Sequence, residues 1–132
     1  MVYKLNWKNR HFIHDLIVDA IFNEPGIINL YGVEMKEREP CYEFNGCLWV
    51  KPDLLFQTSE GIYVVEVKTS IKTSTAKKKA SPQYRKLKKI LSFETDNGFE
   101  AVFRLVHPTK EVYDMKALLK YLHYEDWKIK PL

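Results

Sequence analysis

The sequence predicts one α/β domain over residues 1–132, built as layers with a central mixed β-sheet flanked by helices. Three observations support this fold class. Apolar residues recur at helical spacing near the N-terminus, and two β-rich runs surround the turn-like residues 58–61. A second helical segment then separates these strands from another strand. That order predicts a βαβ unit with parallel strands and a right-handed connection.

The first element is predicted to be a helix that runs to about Asn23. Asn6 and Asn9 are both suited to cap its N-terminus, and the segment Glu24-Pro25-Gly26 ends it. Its apolar stripe is made of Ile13, Leu16, Ile17, Ala20 and Ile21.

Short strands are predicted next. Residues 27–33 are expected to form a strand and residues 35–40 a charged turn. Residues 42–44 and 47–50 are expected to form a hairpin, because Asn45-Gly46 between them is a strong hairpin signal. The central hairpin follows between residues 51 and 69.

The second half of the chain predicts a helix, a strand and a helix. Residues 70–80 are expected to be a mobile polar segment, and Ser81-Pro82 to open a helix that ends at 96–98. Residues 99–106 are expected to form a strand that His107-Pro108 ends.

The last predicted helix is capped by Asp114 and continues to about residue 124.

Composition limits the classes of protein that need consideration. A chain of 132 residues with 45% hydrophobic residues can bury a core, so disorder is excluded. No apolar run reaches the length of a membrane span, and the N-terminus lacks the apolar segment of a signal peptide. An intracellular protein with no membrane partner is therefore expected. Cys41 and Cys47 are expected to be reduced thiols, with a disulfide as the alternative.

The central hairpin carries the most informative residues. If Ser59 and Glu60 form its two-residue loop, Asp53 faces Glu66 across the strands. Such a pair places two like charges only about 5 Å apart at Cβ, which packing alone does not favour. A divalent cation gives the pair a purpose, because carboxylate oxygens are the ligands that Mg²⁺ prefers. Lys68 lies two residues beyond Glu66 and is predicted to share its face of the strand.

The residues Pro52-Asp53 and Glu66-Val67-Lys68 resemble the motif of the PD-(D/E)xK nuclease superfamily. The resemblance covers roughly residues 12–106 and implies a restriction-endonuclease-like core. Within the superfamily the chain is similar to small archaeal Holliday junction resolvases and to virus-type replication-repair nucleases. The resemblance implies that Asp53, Glu66 and the carbonyl of Val67 bind Mg²⁺, with Mn²⁺ as a substitute. It further implies that Lys68 acts on the attacking water.

A third acidic residue is expected on the first helix. Asp15 lies where the related nucleases carry such an acid, and Asp19 and His11 lie one turn away on either side. A histidine completes the metal site in the RecB-like branch of the superfamily, so a set of His11 with these acids is one alternative. The other is that Asp15 belongs to the polar outer face of an amphipathic helix. The remaining histidines, His14, His107 and His123, are interpreted as structural.

The basic residues are concentrated in one segment. From Lys68 to Phe93, with both ends included, the chain has nine Lys and Arg residues and no Asp or Glu, although the net charge is only +4. A segment of one sign can neutralise phosphates, whereas a surface that serves only solubility is expected to mix both signs. The residues predicted to bind nucleic acid are Lys72, Lys77, Lys78, Lys79, Gln83, Arg85 and Lys86.

Together these features predict a Mg²⁺-dependent DNA endonuclease that needs no small-molecule cofactor. Its expected substrate is duplex, branched or single-stranded DNA in recombination, repair or replication. A homodimer is expected if it cuts junctions, because two symmetric strands need two sites. The alternatives are a nucleic-acid-binding domain or nuclease subunit of the same fold that does not cut, and a purely structural interaction protein.

Overall fold

The computed structural model describes residues 4–91 and 100–129. Within these ranges the chain forms three α-helices, one 3-10 turn and seven strands. In chain order they are α1 (Arg10–Asn23), the 3-10 turn (Pro25–Ile28), β1 (Met35–Arg38), β2 (Tyr42–Phe44), β3 (Cys47–Val50), β4 (Leu54–Gln57), β5 (Gly61–Val67), α2 (Thr73–Leu91), β6 (Glu100–Pro108), α3 (Met115–Lys120) and β7 (Leu122–Lys128).

Five of the strands form one mixed sheet in the order β1-β4-β5-β6-β7, while β2 and β3 form a separate hairpin. β5 and β6 run parallel and the other neighbours run antiparallel. The predicted α/β class and the parallel βαβ unit are therefore confirmed. The register of the central hairpin is also as predicted, because Phe56 pairs with Tyr63 and Leu54 with Val65.

Helices cover both faces of the sheet. α1 packs Ile13, Ile17 and Ile21 against one face, which includes Val65 and Val67 of β5. α2 packs on the other face, in a cluster that contains Val64, Phe103 and Leu105. Successive residues of a strand point to opposite faces, so β5 supplies both cores. The central hairpin is thus held between two helical layers.

The predicted start of α1 is confirmed. Asn9 is the N-cap, and its side-chain oxygen accepts a hydrogen bond from the Phe12 N–H at 3.2 Å. The helix ends at Asn23, and Ile13, Ile17, Val18 and Ile21 are its buried residues.

Two predictions between residues 27 and 40 are wrong. Residues 27–33 do not form a strand, because Pro25 starts a 3-10 turn that the Leu30 N–H closes onto the Pro25 carbonyl at 3.1 Å. The apolar side chains there, such as Ile28, fill the core instead. The charged residues 35–38 are not a turn but form the edge strand β1. All four side chains of β1 are exposed, so its sequence lacks the alternation of apolar and polar residues that indicates a strand.

The predicted boundary of α2 is also wrong. The helix begins at Thr73, so Ser81-Pro82 lies inside it and residues 73–80 are helical. Pro82 removes one N–H from the helix, and the Ser81 hydroxyl donates to the Lys77 carbonyl at 2.8 Å. The buried Ala76 and Ala80 join the early turns to the core. The predicted helix end at 96–98 lies outside the described residues.

The C-terminal part differs from the prediction as well. Asp114 caps α3 as predicted, but the helix ends at Lys120. β7 then begins at Leu122 and pairs with β6 as far as Pro108, so β6 includes His107 and Pro108 and does not end at residue 106. Proline is tolerated there because the pairing of β6 with β5 ends at Val106, so position 108 has no strand neighbour on that side that needs its N–H.

No helix in the described ranges is both long and apolar enough to cross a membrane. Cys41 and Cys47 are free and exposed, in agreement with the predicted thiols.

Candidate functional site

The end of the central hairpin brings Asp53 and Glu66 together. The register that pairs Leu54 with Val65 places Asp53 opposite Glu66 one residue further on. The Asp53 N–H donates to Oε1 of Glu66 at 3.1 Å, and the Val67 N–H donates to Oδ2 of Asp53 at 2.8 Å. Two acidic side chains therefore replace the backbone ladder at this end of the sheet. The predicted juxtaposition is confirmed.

Pro52 explains why the ladder stops here. Hydrogen-bonded pairs alternate along an antiparallel ladder, and the Thr58 N–H donates to the Gly61 carbonyl at 2.9 Å. Such pairs recur at every second residue, so Leu54 belongs to one of them. The next pair beyond it is Pro52 with Val67. Proline has no N–H, so it cannot donate to the Val67 carbonyl. The Val67 N–H instead donates to the Asp53 carboxylate, and the Val67 carbonyl has no ladder partner on the β4 side.

Lys68 completes the predicted trio. Its ammonium nitrogen lies 3.2 Å from Oε2 of Glu66, and its side chain is about one quarter exposed, at 24%. The Lys68 N–H donates to the Val106 carbonyl at 2.9 Å, which fixes the backbone beyond the end of β5. The lysine therefore contacts one acid of the pair while it remains accessible from solvent.

The site contains one residue that sequence reasoning missed. Nε2 of His14 lies 3.1 Å from Oδ1 of Asp53, and its Nδ1 lies 3.2 Å from Oδ1 of Asp15. His14, which was interpreted from the sequence as structural, therefore lies in direct contact with the Asp53–Glu66 pair. A signal was present in the sequence. His14 follows the buried Ile13 on α1, so it projects from the border of the apolar stripe beside the sheet, whereas Asp15 projects further outward.

Asp15 is placed less directly than predicted. Its side chain is 55% exposed and reaches Asp53 through His14, while Nε2 of His11 lies 3.6 Å from its carboxylate. Asp19 is held in an ion pair with Arg38 of the edge strand β1. Of the two acids on α1, Asp15 is thus the one that is linked to the Asp53–Glu66 pair.

The pKa values of the three linked groups are strongly displaced. Burial and the nearby Asp53 charge raise the pKa of Glu66 to about 8. Burial also acts to raise the pKa of Asp53, but hydrogen bonds with His14, Glu66 and the Val67 N–H bring it below its usual value. The hydrogen bond with Asp53 raises the pKa of His14 to about 9, against the opposing effect of burial.

These displacements define the charges without a bound cation. The raised pKa values of Glu66 and His14 favour their protonated forms at neutral pH, and the lowered pKa of Asp53 favours its ionised form. The site therefore holds one negative carboxylate where two would be present if a cation compensated them. A cation that bound here would displace protons, as is general for sites whose ligands must be deprotonated.

A cleft of about 380 Å³ lies against Asp53. The side chain of Glu66 is more buried than that of Asp53, at 5% exposed against 17%. We call this opening the acidic cleft. It is lined by His11, His14, Asp15, Val18, Asp19, Arg38, Glu39 and Asp53.

The donor atoms fit a hard divalent cation in part. Asp53, Glu66 and the Val67 carbonyl offer oxygen ligands, and Mg²⁺ is often bound through one or two carboxylates together with water. However, no three His, Cys, Asp or Glu side chains in residues 4–91 and 100–129 are arranged as a metal-binding group. The chemistry of the pair thus fits the predicted Mg²⁺ or Mn²⁺, with only two side-chain carboxylates in position.

The predicted nucleic-acid-binding residues are spread over several sides of α2. Lys77 lies 3.5 Å from the Glu125 carboxylate, and the Lys86 ammonium donates to the Trp49 carbonyl at 3.3 Å. The Gln83 amide oxygen is buried and has no hydrogen-bond partner among the described residues. The exposed members of the set are Lys72, Lys77, Lys78, Lys79 and Arg85.

No protein-family model and no curated protein matches this chain in sequence. The interpretation of the site therefore depends on its own residues and their geometry.

Proposed function

We propose that this protein is a metal-dependent nuclease that hydrolyses phosphodiester bonds of DNA. The observation that supports the proposal best is the Asp53–Glu66 pair with Lys68 at 3.2 Å from Glu66. A buried acid pair is costly for a fold, and here burial and the Asp53 charge raise the pKa of Glu66 to about 8. Displaced pKa values of this kind are typical of functional sites.

In this proposal the residues have distinct roles. Asp53, Glu66 and the Val67 carbonyl would hold Mg²⁺, which supplies charge stabilisation to the phosphate and acidifies water when it is bound. Lys68 orients the attacking water and stabilises negative charge on the phosphate, because its ammonium is next to Glu66 and still accessible. His14 holds Oδ1 of Asp53, which fixes the orientation of that carboxylate.

DNA as substrate is supported by two features. The segment from Lys68 to Phe93 begins at the site and contains basic residues but no Asp or Glu, and phosphate contacts account for much of the affinity for nucleic acids. The resemblance to junction resolvases and replication-repair nucleases favours branched DNA. A homodimer would then supply the two sites that symmetric cleavage needs.

A second candidate function is nucleic-acid binding without cleavage. It is favoured by the absence, in the described part of the chain, of any arrangement of three metal-binding side chains. The contacts that join Asp53 and Lys68 to Glu66 favour the nuclease.

A cleavage assay distinguishes the two candidates. The protein is incubated with Mg²⁺ or Mn²⁺ and with single-stranded, duplex, flap and four-way DNA. We expect metal-dependent cleavage of at least one substrate, and loss of cleavage by Asp53→Asn. Glu39→Gln, which changes an exposed acid of the same cleft, is the matched control and should cleave normally. DNA binding with no cleavage under any condition would favour the second candidate.

The same assay tests the acids on α1. Asp15→Asn should reduce cleavage, because Asp15 is linked to Asp53 through His14, while Asp19→Asn should not. If neither variant changes the rate, Asp15 belongs to the polar outer face of the helix.

A further inference from the structure

We propose that a second cleft, next to the acidic cleft, binds an internal backbone phosphate of the same DNA strand. This inference rests on the proposed function, since it assigns a position to the substrate of that site. We call the second opening the basic cleft. It has a volume of about 290 Å³ and is lined by Arg10, Ser70, Ile71, Lys72, Thr75 and Lys79.

The charge of the basic cleft is of one sign. Three of the six described lining residues, Arg10, Lys72 and Lys79, are cationic, and none is acidic. The hydroxyls of Ser70 and Thr75 add hydrogen-bond donors. Guanidinium, ammonium and hydroxyl groups are the side chains that usually contact phosphate oxygens. A phosphate is therefore the ligand that this set of groups fits.

Two of the long side chains are already held in place. Nη1 of Arg10 donates to the Thr69 carbonyl at 2.9 Å, and its guanidinium lies 5.7 Å from the centre of the Trp7 ring. The Lys79 ammonium donates to the Ser70 hydroxyl at 3.2 Å. A side chain that is ordered before binding loses less conformational freedom when the ligand arrives. The cleft is thus prepared for an anion rather than lined by freely moving lysines.

The charges already present near Arg10 leave capacity for a ligand. Its Nη2 lies 3.5 Å from the Glu111 carboxylate, and both side chains are exposed, at 47% and 37%. Exposed pairs of this kind contribute little free energy. A phosphate can therefore displace the Glu111 carboxylate from the guanidinium, or bind the guanidinium together with it. Arg10 has five N–H donors, and these two contacts use only part of them.

The first turn of α1 contributes one residue to each of the two clefts. Arg10 lines the basic cleft, and the next residue, His11, lines the acidic cleft. Thr69, whose carbonyl binds Arg10, directly follows Lys68. A DNA strand whose scissile phosphate lies at Asp53 and Glu66 can therefore place a neighbouring phosphate in the basic cleft.

The helix geometry of α2 separates the residues of this cleft from the other lysines. Lys72, Thr75 and Lys79 have the spacing of one face at the beginning of the helix, whereas Lys77 projects elsewhere and approaches Glu125 at 3.5 Å. Lys78 is exposed but does not line the cleft. The cleft therefore predicts unequal roles for adjacent lysines, while a diffuse basic surface predicts equal ones.

The first experiment measures binding without catalysis. Binding of a fluorescein-labelled DNA duplex and of the single strand is followed by anisotropy in EDTA over a range of salt concentrations. Lys79→Ala and Lys72→Ala are expected to weaken binding about threefold or more and to lower the log–log salt slope by up to about one. Lys116→Ala, an exposed lysine of α3 outside both clefts, is the matched control and should bind as the wild type does.

The second experiment locates the phosphate. Uncharged methylphosphonates replace single phosphates along the strand, one position at a time. One internal position is expected to weaken binding by the wild type but not further by Lys79→Ala, because the variant has already lost that contact. Removal of a terminal 5′-phosphate should have no effect.

The outcomes separate this inference from the nuclease proposal. If Lys78→Ala weakens binding as much as Lys79→Ala, or if no internal methylphosphonate is masked by Lys79→Ala, the basic cleft is not a phosphate site. A dependence on the 5′-phosphate alone would also overturn it. If the phosphate maps to the cleft but no substrate is cleaved, the cleft is retained and the nuclease proposal fails.

Discussion

Replacement of Glu66 by glutamine should stabilise the metal-free protein. The ordinary pKa of glutamate is 4.5, whereas that of Glu66 is about 8 in the folded chain. Between these pH values the folded state retains a proton that the unfolded chain releases, so stability falls by about 1.4 kcal/mol for each pH unit. The accumulated cost is about 3 kcal/mol at pH 7 and levels off near pH 8. Glutamine does not titrate and avoids this cost.

Part of the gain is offset at Lys68. Glutamine keeps an oxygen that can accept from the Asp53 N–H, but its NH₂ group faces the Lys68 ammonium, which now contacts Oε2 at 3.2 Å. The lysine is partly exposed and can turn to solvent at a cost of no more than about 1 kcal/mol. We therefore expect Glu66→Gln to be more stable than the wild type by about 2 kcal/mol at pH 7. The difference should vanish near pH 5, where the proton-linked gain has fallen to the size of the cost at Lys68.

The assay is urea unfolding followed by tryptophan fluorescence, in EDTA, from pH 4.5 to pH 9. Glu39→Gln is the control, because its carboxylate is 69% exposed and lies 3.8 Å from Lys51, so its stability should change by less than about 0.5 kcal/mol. Mg²⁺ should then stabilise the wild type more than Glu66→Gln, by mass action on the folded state. A variant that is less stable than the wild type at pH 7, or a gain that does not depend on pH, would refute the reasoning.

Three further predictions concern the same residues and the sheet behind them. Lys68→Ala should lose cleavage but keep Mg²⁺ binding in calorimetry, and unchanged turnover would show the lysine to be uninvolved. His14→Asn should destabilise the protein by about 1–2 kcal/mol below about pH 6.5 in urea unfolding. The difference should fade as pH rises through about 9, because the ion pair with Asp53 requires protonated His14. A difference that stays constant across this pH range would contradict the ion pair. Gly61→Ala should cost at least about 2 kcal/mol in the same assay, since its Cβ would lie 2.1 Å from the Glu100 carbonyl oxygen, and a change below about 0.5 kcal/mol would mean that the two strands do not approach so closely.

The elements that were predicted correctly carry local signals. Asn9 and Asp114 cap helices because their side-chain oxygens bind the backbone three residues later. The Asn45-Gly46 pair joins β2 to β3, with both residues at positive φ as a tight hairpin turn requires. Such signals act within a few residues, so they can be read from the sequence.

The elements that were missed depend on distant partners. β1 is charged and exposed, and it is a strand only because it pairs with the edge of β4. β7 follows a short helix and owes its extended form to the seven residues of β6 that pair with it. The early turns of α2 contain many lysines, and the sheet beneath Ala76 and Ala80 is what completes their apolar face. Tertiary contacts override local propensity at each of these places.

The candidate site divides in the same way. The sequence by itself determined that Asp53 and Glu66 face each other, because hairpin register follows from the turn and from alternation along two strands. It likewise placed Lys68 beside Glu66. Only the tertiary structure decided that His14, rather than Asp15, touches Asp53, and that Arg10 meets Lys72 and Lys79 across a cleft. Those contacts join α1 to segments about 40 to 70 residues away, and their geometry depends on how the helices pack on the sheet, which no local spacing specifies.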